Sequence, residues 1–176
     1  MKCHGICFDR DGTLIKHVPY LHNPEHVELL PTVKESLKLC TSNNIKIFLH
    51  TNQSGIERNF FNINDVLKCN KQMCTLLDVE FDEVCIAPEI IYNNLNYRKP
   101  SYRFANYVMQ KYKIQKNNLL YIGDSLVDIQ TASNSGVLGY GVRTGINNFN
   151  SLNIPIFDSL LEAVNYFIRY VFNRRN

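Results

Sequence analysis

No run of apolar residues in this 176-residue chain approaches the roughly 20 needed to cross a bilayer, which excludes a membrane-spanning helix. The first apolar stretch, MKCHGICF, is broken by Asp9, Arg10 and Asp11 before a signal-peptide core could form, so export is not expected and the expected location is cytoplasmic. Six cysteines are present (Cys3, Cys7, Cys40, Cys69, Cys74, Cys85), but none are spaced C-x-x-C. Without secretory context they read as reduced, mostly buried thiols. An excess of one charge is also missing: nineteen basic against sixteen acidic residues leave +3, which does not separate a nucleic-acid binder from an enzyme of anionic metabolites. The basic end, Arg169 with Arg174 and Arg175, reads as a solvated helix end, with a phosphate-binding patch as the alternative. No aromatic and basic stripe of the kind that stacks single-stranded bases is found, which disfavours nucleic acid as a partner without excluding it. Internal repeats and low-complexity segments are absent too, and asparagines such as Asn93, Asn94 and Asn96 suit turns.

What is there is a soluble globular composition, 45% hydrophobic and 20% charged, in a length that fits one domain over residues 1–176. Short β-branched runs alternate with helical patterns. Buried strands are expected at Ile6–Phe8, Ile45–Leu49, Val84–Ile86, Leu119–Ile122 and Val137–Val142, with a last one at Ile154–Phe157. Between them, Thr32–Asn43 places Val33, Leu37 and Cys40 at helical spacing, and Ile63–Leu77 does so with Val66, Leu67, Met73 and Leu77. Helices are also expected at Ser101–Lys113 and Leu126–Ser135, and a final one capped by Asp158 with Leu160, Leu161, Val164 and Phe167 facing the core. Strand and helix in repeated order imply a doubly wound, Rossmann-like α/β domain with a parallel sheet, in which reactive groups gather beyond the carboxyl ends of the strands.

Four polar stations fall at such ends. Asp9-Arg10-Asp11-Gly12-Thr13 follows the first strand. In extended chain, residues i and i+2 share a side, so the two carboxylates would face one volume and need a shared cation or proton; magnesium, which prefers oxygen ligands, fits better than zinc. A solvated D-G turn is the plainer alternative. Thr51-Asn52-Gln53-Ser54-Gly55 offers a hydroxyl and backbone N–H groups for phosphoryl oxygens, or is simply a polar turn. Arg98-Lys99-Pro100 offers two cations, or a solvated pair. Gly123-Asp124-Ser125-Leu126-Val127-Asp128 adds a metal carboxylate in Asp124, with Asp128 either supporting the shell around it or favoured by the helix dipole.

Taken in this order, D-x-D-G-T, a strand-end Thr, Lys and G-D-x-x-x-D, the stations resemble the haloacid-dehalogenase superfamily over about Ile6 to Gly145. The resemblance implies a magnesium-dependent phosphomonoesterase with Asp9 as nucleophile and Asp11 as acid and then base. Magnesium would lie at Asp9, Asp11 and Asp124, with Asp128 behind them. Substrate contacts would come from His17, Tyr20, Thr51, Asn52, Gln53, Ser54, Arg98, Lys99 and Ser125. Neither gap between stations has room for a large cap domain, so an open site is expected.

The strings D-R-D-G-T-L, T-N-Q-S-G-I and R-K-P are similar to the histidinol-phosphate and heptose-bisphosphate phosphatase branch. That branch implies D-glycero-D-manno-heptose 1,7-bisphosphate as substrate, on a route to lipopolysaccharide, with histidinol phosphate second. Tyr97-Arg98-Lys99-Pro100 is also similar to polynucleotide 3′-phosphatases, and a non-catalytic phospho-ligand module is a fourth reading. The branch carries a structural zinc through C-x-H and C-x-C; here those places hold Ala87 and Glu89, then Leu95 and Tyr97, so no zinc is expected. The loop would then be ordered by packing of Ile90, Ile91, Tyr92 and Leu95. The expected partner is a small phosphorylated metabolite, and the expected state a monomer.

Overall fold

A computed structural model describes residues 3–145, 149 and 153–173. Six strands form one parallel sheet in the order β3-β2-β1-β4-β5-β6: β1 (His4–Phe8), β2 (Ile45–Asn52), β3 (Glu83–Ala87), β4 (Leu119–Gly123), β5 (Leu138–Val142) and β6 (Ile156–Phe157). The chain winds outward from β1 through β2 to β3, then returns to β4 on the other side of β1. Strand order therefore reverses between β1 and β4, which is where a doubly wound sheet opens a crevice at its carboxyl end.

Five helices cover the sheet: α1 (Val33–Ser42), α2 (Ile63–Leu77), α3 (Arg103–Tyr112), α4 (Leu126–Ser135) and α5 (Leu160–Asn173). The larger core lies on the side of α1, α2 and α5, around Ile6, Phe8, Ile47, Leu49, Leu120 and Phe167, all fully buried. The smaller one joins Cys7, Phe48 and Tyr121 to Phe104 and Val108 of α3. Both faces of β1 and β4 are covered, which is why their sequences read as continuous apolar runs.

Helix starts and stops follow local chemistry. The Asn62 side chain accepts from Asn64 N–H and Asp65 N–H while Asp65 reaches back to Asn62 N–H, a capping box that opens α2. Gly136, at φ 66°, ends α4 in the left-handed conformation glycine adopts without penalty.

Several expectations are corrected. Leu67 lies exposed, and Cys69 and Asn70 take the inward positions of α2 instead. In α5, Leu161 is half-buried and Ala163 reaches the core. The hydroxyl of Ser159, not the carboxylate of Asp158, receives the first-turn N–H, that of Glu162, because α5 begins at Leu160 and Ser159 is the residue before it; Asp158 pairs with Arg143 at 2.6 Å. The last strand is reduced to two residues. Among the described residues no helix is long and apolar enough to cross a membrane. Arg174 and Arg175 lie outside the described residues.

Candidate active site

Asp9 follows the last residue of β1 and Asp124 the last of β4, the two strands on either side of the switch point. Register brings the two residues together: Asp9 N–H donates to Ile122 O at 3.0 Å. Asp128 joins them from the first turn of α4, and one oxygen of each carboxylate falls within 4.8 Å of the others. Lys99 enters this cluster from the loop before α3. Its ammonium donates to Asp9 Oδ1 at 2.5 Å and to Asp128 Oδ1 at 2.6 Å, and the residue is only 3% exposed.

Asp128 has two partners, Ser125 and Lys99. Its Oδ2 accepts from Ser125 N–H at 3.1 Å and from the Ser125 hydroxyl, closing a capping box on α4, while Oδ1 holds Lys99. Gly123 permits this, since a Cβ there would stand 2.2 Å from the Asp128 carboxyl carbon. Two further glycines make room for Asp124: a Cβ on Gly12 would meet its Oδ2 at 2.3 Å, and one on Gly145 at 1.7 Å.

The chain turns as β1 ends, with Thr13, Leu14 and Ile15 N–H groups all directed at Arg10 O and Gly12 at φ 86°. Asp11 lines the same cavity as Asp9 but has partners of its own. Its carboxylate is gripped by the Arg10 guanidinium at 3.0 and 3.2 Å and by Gln53 Nε2 at 2.9 Å. Arg10, fully buried, also donates to Asn70 at 2.9 Å, which explains the inward amide on α2. Sequence reasoning passed over Arg10 as the variable residue of D-x-D; the signal was a cation between two carboxylates.

Beyond β2, Gln53 Nε2 also donates to the Thr51 hydroxyl at 2.8 Å. Asn52 clasps the backbone of Lys99 from both sides, accepting from its N–H at 2.9 Å and donating to its carbonyl at 3.3 Å. His50 adds a tie that the sequence did not announce. A carbonyl can only accept, so Nε2–H donates to Tyr97 O at 2.8 Å and Nδ1 accepts the Tyr121 hydroxyl proton at 2.9 Å. Burial, aided by the nearby Lys99 charge, drives the imidazole down to about 3, so it stays neutral.

The loop of residues 88–98 corrects one expectation. Ile90 and Tyr92 are half-buried, whereas Ile91 and Leu95 are 75% and 83% exposed, so these two do not order it by packing. Hydrogen bonds do: Arg98 donates to Glu89 O, Asn96 Nδ2 to Ile91 O, and Asn93 Oδ1 accepts from Leu95 and Asn96 N–H, all at 2.8 to 3.0 Å. Short polar side chains that bond local backbone can hold a loop that has no apolar surface to bury.

An open cavity of about 540 Å³ covers the cluster. Asp9, Asp11, His17, Tyr20, Asn52, Gln53, Ser54, Lys99, Asp124 and Ser125 all line it. Thr51 is buried behind Gln53, and Arg98 is turned to the Glu89 carbonyl; neither lines the cavity. The wall also contains Val18, Leu21, Phe61 and Val127, which sequence reasoning did not single out.

The donor set suits a hard divalent cation. All its ligand atoms are carboxylate oxygens, with no sulfur or imidazole among them. Burial raises the Asp9 carboxyl, Lys99 lowers it by less, and Asp128, Asp124 and Asp11 raise it further, so the anion at Asp9 needs more positive charge than Lys99 provides. Asp9, Asp124 and Asp128 are the carboxylates that could hold such a cation, with Lys99 already bonded to Asp9 and Asp128.

The model of the family described as polynucleotide kinase 3 phosphatase matches residues 5–136. A D-glycero-alpha-D-manno-heptose-1,7-bisphosphate 7-phosphatase of Campylobacter jejuni is 26% identical over 170 residues, 95% of this chain and 97% of its own. A D-glycero-D-manno-heptose-1,7-bisphosphate 7-phosphatase of Chlorobaculum tepidum is 28% identical over 158 residues, 81% of this chain and 79% of its own. Among solved structures, D,D-heptose 1,7-bisphosphate phosphatase from B. bronchiseptica, complexed with magnesium and phosphate, shares the fold at TM-score 0.86 and 22% identity, over 97% of this chain and 99% of that one. Because the family match runs over well more than half of the chain and spans every residue of the carboxylate cluster, this chain belongs to the polynucleotide kinase 3 phosphatase family within the haloacid-dehalogenase superfamily.

Proposed function

We propose that the chain is a magnesium-dependent phosphomonoesterase working through an aspartyl-phosphate on Asp9, with D-glycero-D-manno-heptose 1,7-bisphosphate as substrate and its 7-phosphate as the group removed. The observation that carries the chemistry is the contact of Lys99 with Asp9 and Asp128, beside Asp124, at the floor of an open cavity. The names of the relatives above support the substrate.

Asp9 attacks phosphorus in line with the leaving oxygen, and its other role is to hold a cation jointly with Asp124. Magnesium, when bound, neutralises phosphoryl charge that would otherwise repel the attacking carboxylate. Lys99 places a point charge beside the attacking carboxylate and on the phosphoryl oxygens as charge builds there. Asp11 gives a proton to the leaving oxygen, then takes one from the water that cleaves the acyl phosphate; the grip of Arg10 and Gln53 fixes where that proton is delivered. Thr51 acts through Gln53, and Asn52 through the backbone of Lys99.

Phosphate release with magnesium, measured on both anomers of heptose 1,7-bisphosphate, on histidinol phosphate and on a 3′-phosphorylated oligonucleotide, tests the substrate. The heptose should lead by more than about tenfold in kcat/KM, or about 1.4 kcal/mol. Preference for the oligonucleotide, the substrate class in the family's description, would sink the heptose reading while leaving the chemistry in place.

Gly145→Ala tests how Asp124 is held. The added methyl would need the space of Oδ2, so the carboxylate must swing away. A displacement of that order is expected to lower kcat about 10²-fold with little change in melting temperature. Undiminished turnover would show that Asp124 does not need its present position.

A further inference from the structure

The loops that leave the carboxyl ends of β1 and β2 meet above the cavity floor through aromatic side chains. Tyr20 and Phe60 lie edge to face, with centroids 4.7 Å apart and planes at 89°; behind them His22 stacks on Phe61 at 5.9 Å. The inner ring, Phe61, is buried. The outer pair is not, with Tyr20 47% and Phe60 57% exposed.

Tyr20 is held at φ 53°, in the left-handed region that disfavours a side chain of this size. Its carbonyl accepts from His22 Nδ1–H at 2.9 Å, which ties the turn to the inner stack. A large aromatic kept in that conformation, with half its surface in water, has not been placed to fill a core.

The cavity is two-sided. Its floor is polar and charged, whereas Val18, Pro19, Tyr20, Leu21 and Phe61 make an apolar wall that continues outward into Phe60. The wall cannot draw a ligand by charge. Arg10 and Lys99 are the lysine and arginine residues among the described lining, and both are bonded to carboxylates. What the wall offers is flat π surface beside the point where the phosphoryl group is attacked, suited to the C–H face of a sugar ring or another planar face.

We propose that Tyr20 and Phe60 form a clamp for the ring of the leaving group, making them specificity-determining residues for ring-bearing phosphomonoesters. The occupant is the substrate itself, because the aromatic pair is continuous with the cavity that holds the reacting carboxylate. This rests on the phosphatase reading above but not on heptose being the ring. Stacking on a part of the substrate that does not react is equally strong before and in the transition state, so its loss shows in KM.

The test compares kcat and KM on heptose 1,7-bisphosphate, p-nitrophenyl phosphate and acetyl phosphate, which has no ring, for the wild type, Tyr20→Ala, Phe60→Ala and Tyr20→Phe. Each alanine variant should lower the ratio of kcat/KM for heptose bisphosphate to that for acetyl phosphate by about tenfold, through KM. Tyr20→Phe keeps the ring and should keep the ratio. Parallel losses on ringed and ringless substrates, or no change on either, in an active protein overturn the clamp alone. If the wild type ignores heptose bisphosphate, a selective loss on p-nitrophenyl phosphate upholds the clamp and removes only the heptose. A wild type inert toward all three overturns the phosphatase reading and the clamp with it.

Discussion

Asp9→Asn is expected to abolish turnover, by roughly 10⁴-fold or more, while the protein stays folded. The amide has the shape of the carboxylate but lacks its nucleophilicity, and the residue still ends β1 through the hydrogen bond from its N–H to Ile122 O. Folding should not suffer, because the substitution removes one of three buried carboxylates that crowd each other, and Lys99 keeps Asp128 as a partner. The readouts are phosphate release, trapping of labelled phosphoenzyme after an acid quench, and the melting temperature. Label trapped on the wild type and absent from the variant identifies Asp9 as the acceptor. Turnover within about tenfold of wild type would place the nucleophile elsewhere.

Lys99→Met attacks the same cluster from the other side, and here stability should fall as well. The ammonium is buried and bonds Asp9 and Asp128 at 2.5 and 2.6 Å. Methionine fills the space but strands two desolvated carboxylates, a change that costs about 3–5 kcal/mol. In a chain of this length that lowers the melting temperature by roughly 6–20 °C. Activity should go with it, since the point charge on the phosphoryl group is lost. Adding Asp128→Asn to this variant neutralises one stranded carboxylate and should recover part of the stability and none of the activity. A double variant no more stable than Lys99→Met would show that charge stranding is not the cause.

Much of this site was legible along the chain. Strands and helices announced themselves through periodicity, which depends on residues a few positions apart, so Asp9, Thr51 and Asp124 could be assigned to strand ends before any contact was known. The misreadings share a cause. Arg10 was passed over, yet it and Gln53, 42 positions from Asp11, hold the Asp11 carboxylate. Leu67 looked inward by spacing, yet the buried stripe of α2 runs through Val66, Cys69, Asn70, Met73 and Leu77, where Asn70 meets Arg10, a partner 60 positions away. Ser159 and Asp158 are both good caps, and the start of α5 at Leu160 gave the role to Ser159. The loop of residues 88–98 contains apolar side chains that suggested packing, but Ile91 and Leu95 stay in water, and its asparagines bond the backbone.

The sequence by itself determined the order of strands and helices and the chemical type of each residue at the strand ends, and its motifs in that order carried the resemblance that implied the reaction class. Those follow from local periodicity and from which side chains can carry charge or ligate a cation. Only the tertiary structure decided which groups became partners: that Lys99 is shared by Asp9 and Asp128, 90 and 29 positions away, that Arg10 and Gln53 hold Asp11, and that Tyr20 of the cavity wall meets Phe60. The reason is physical. Burial removes water as a competing partner, so each buried polar group must bond whatever the sheet order brings within reach, and that order is not written in any one segment.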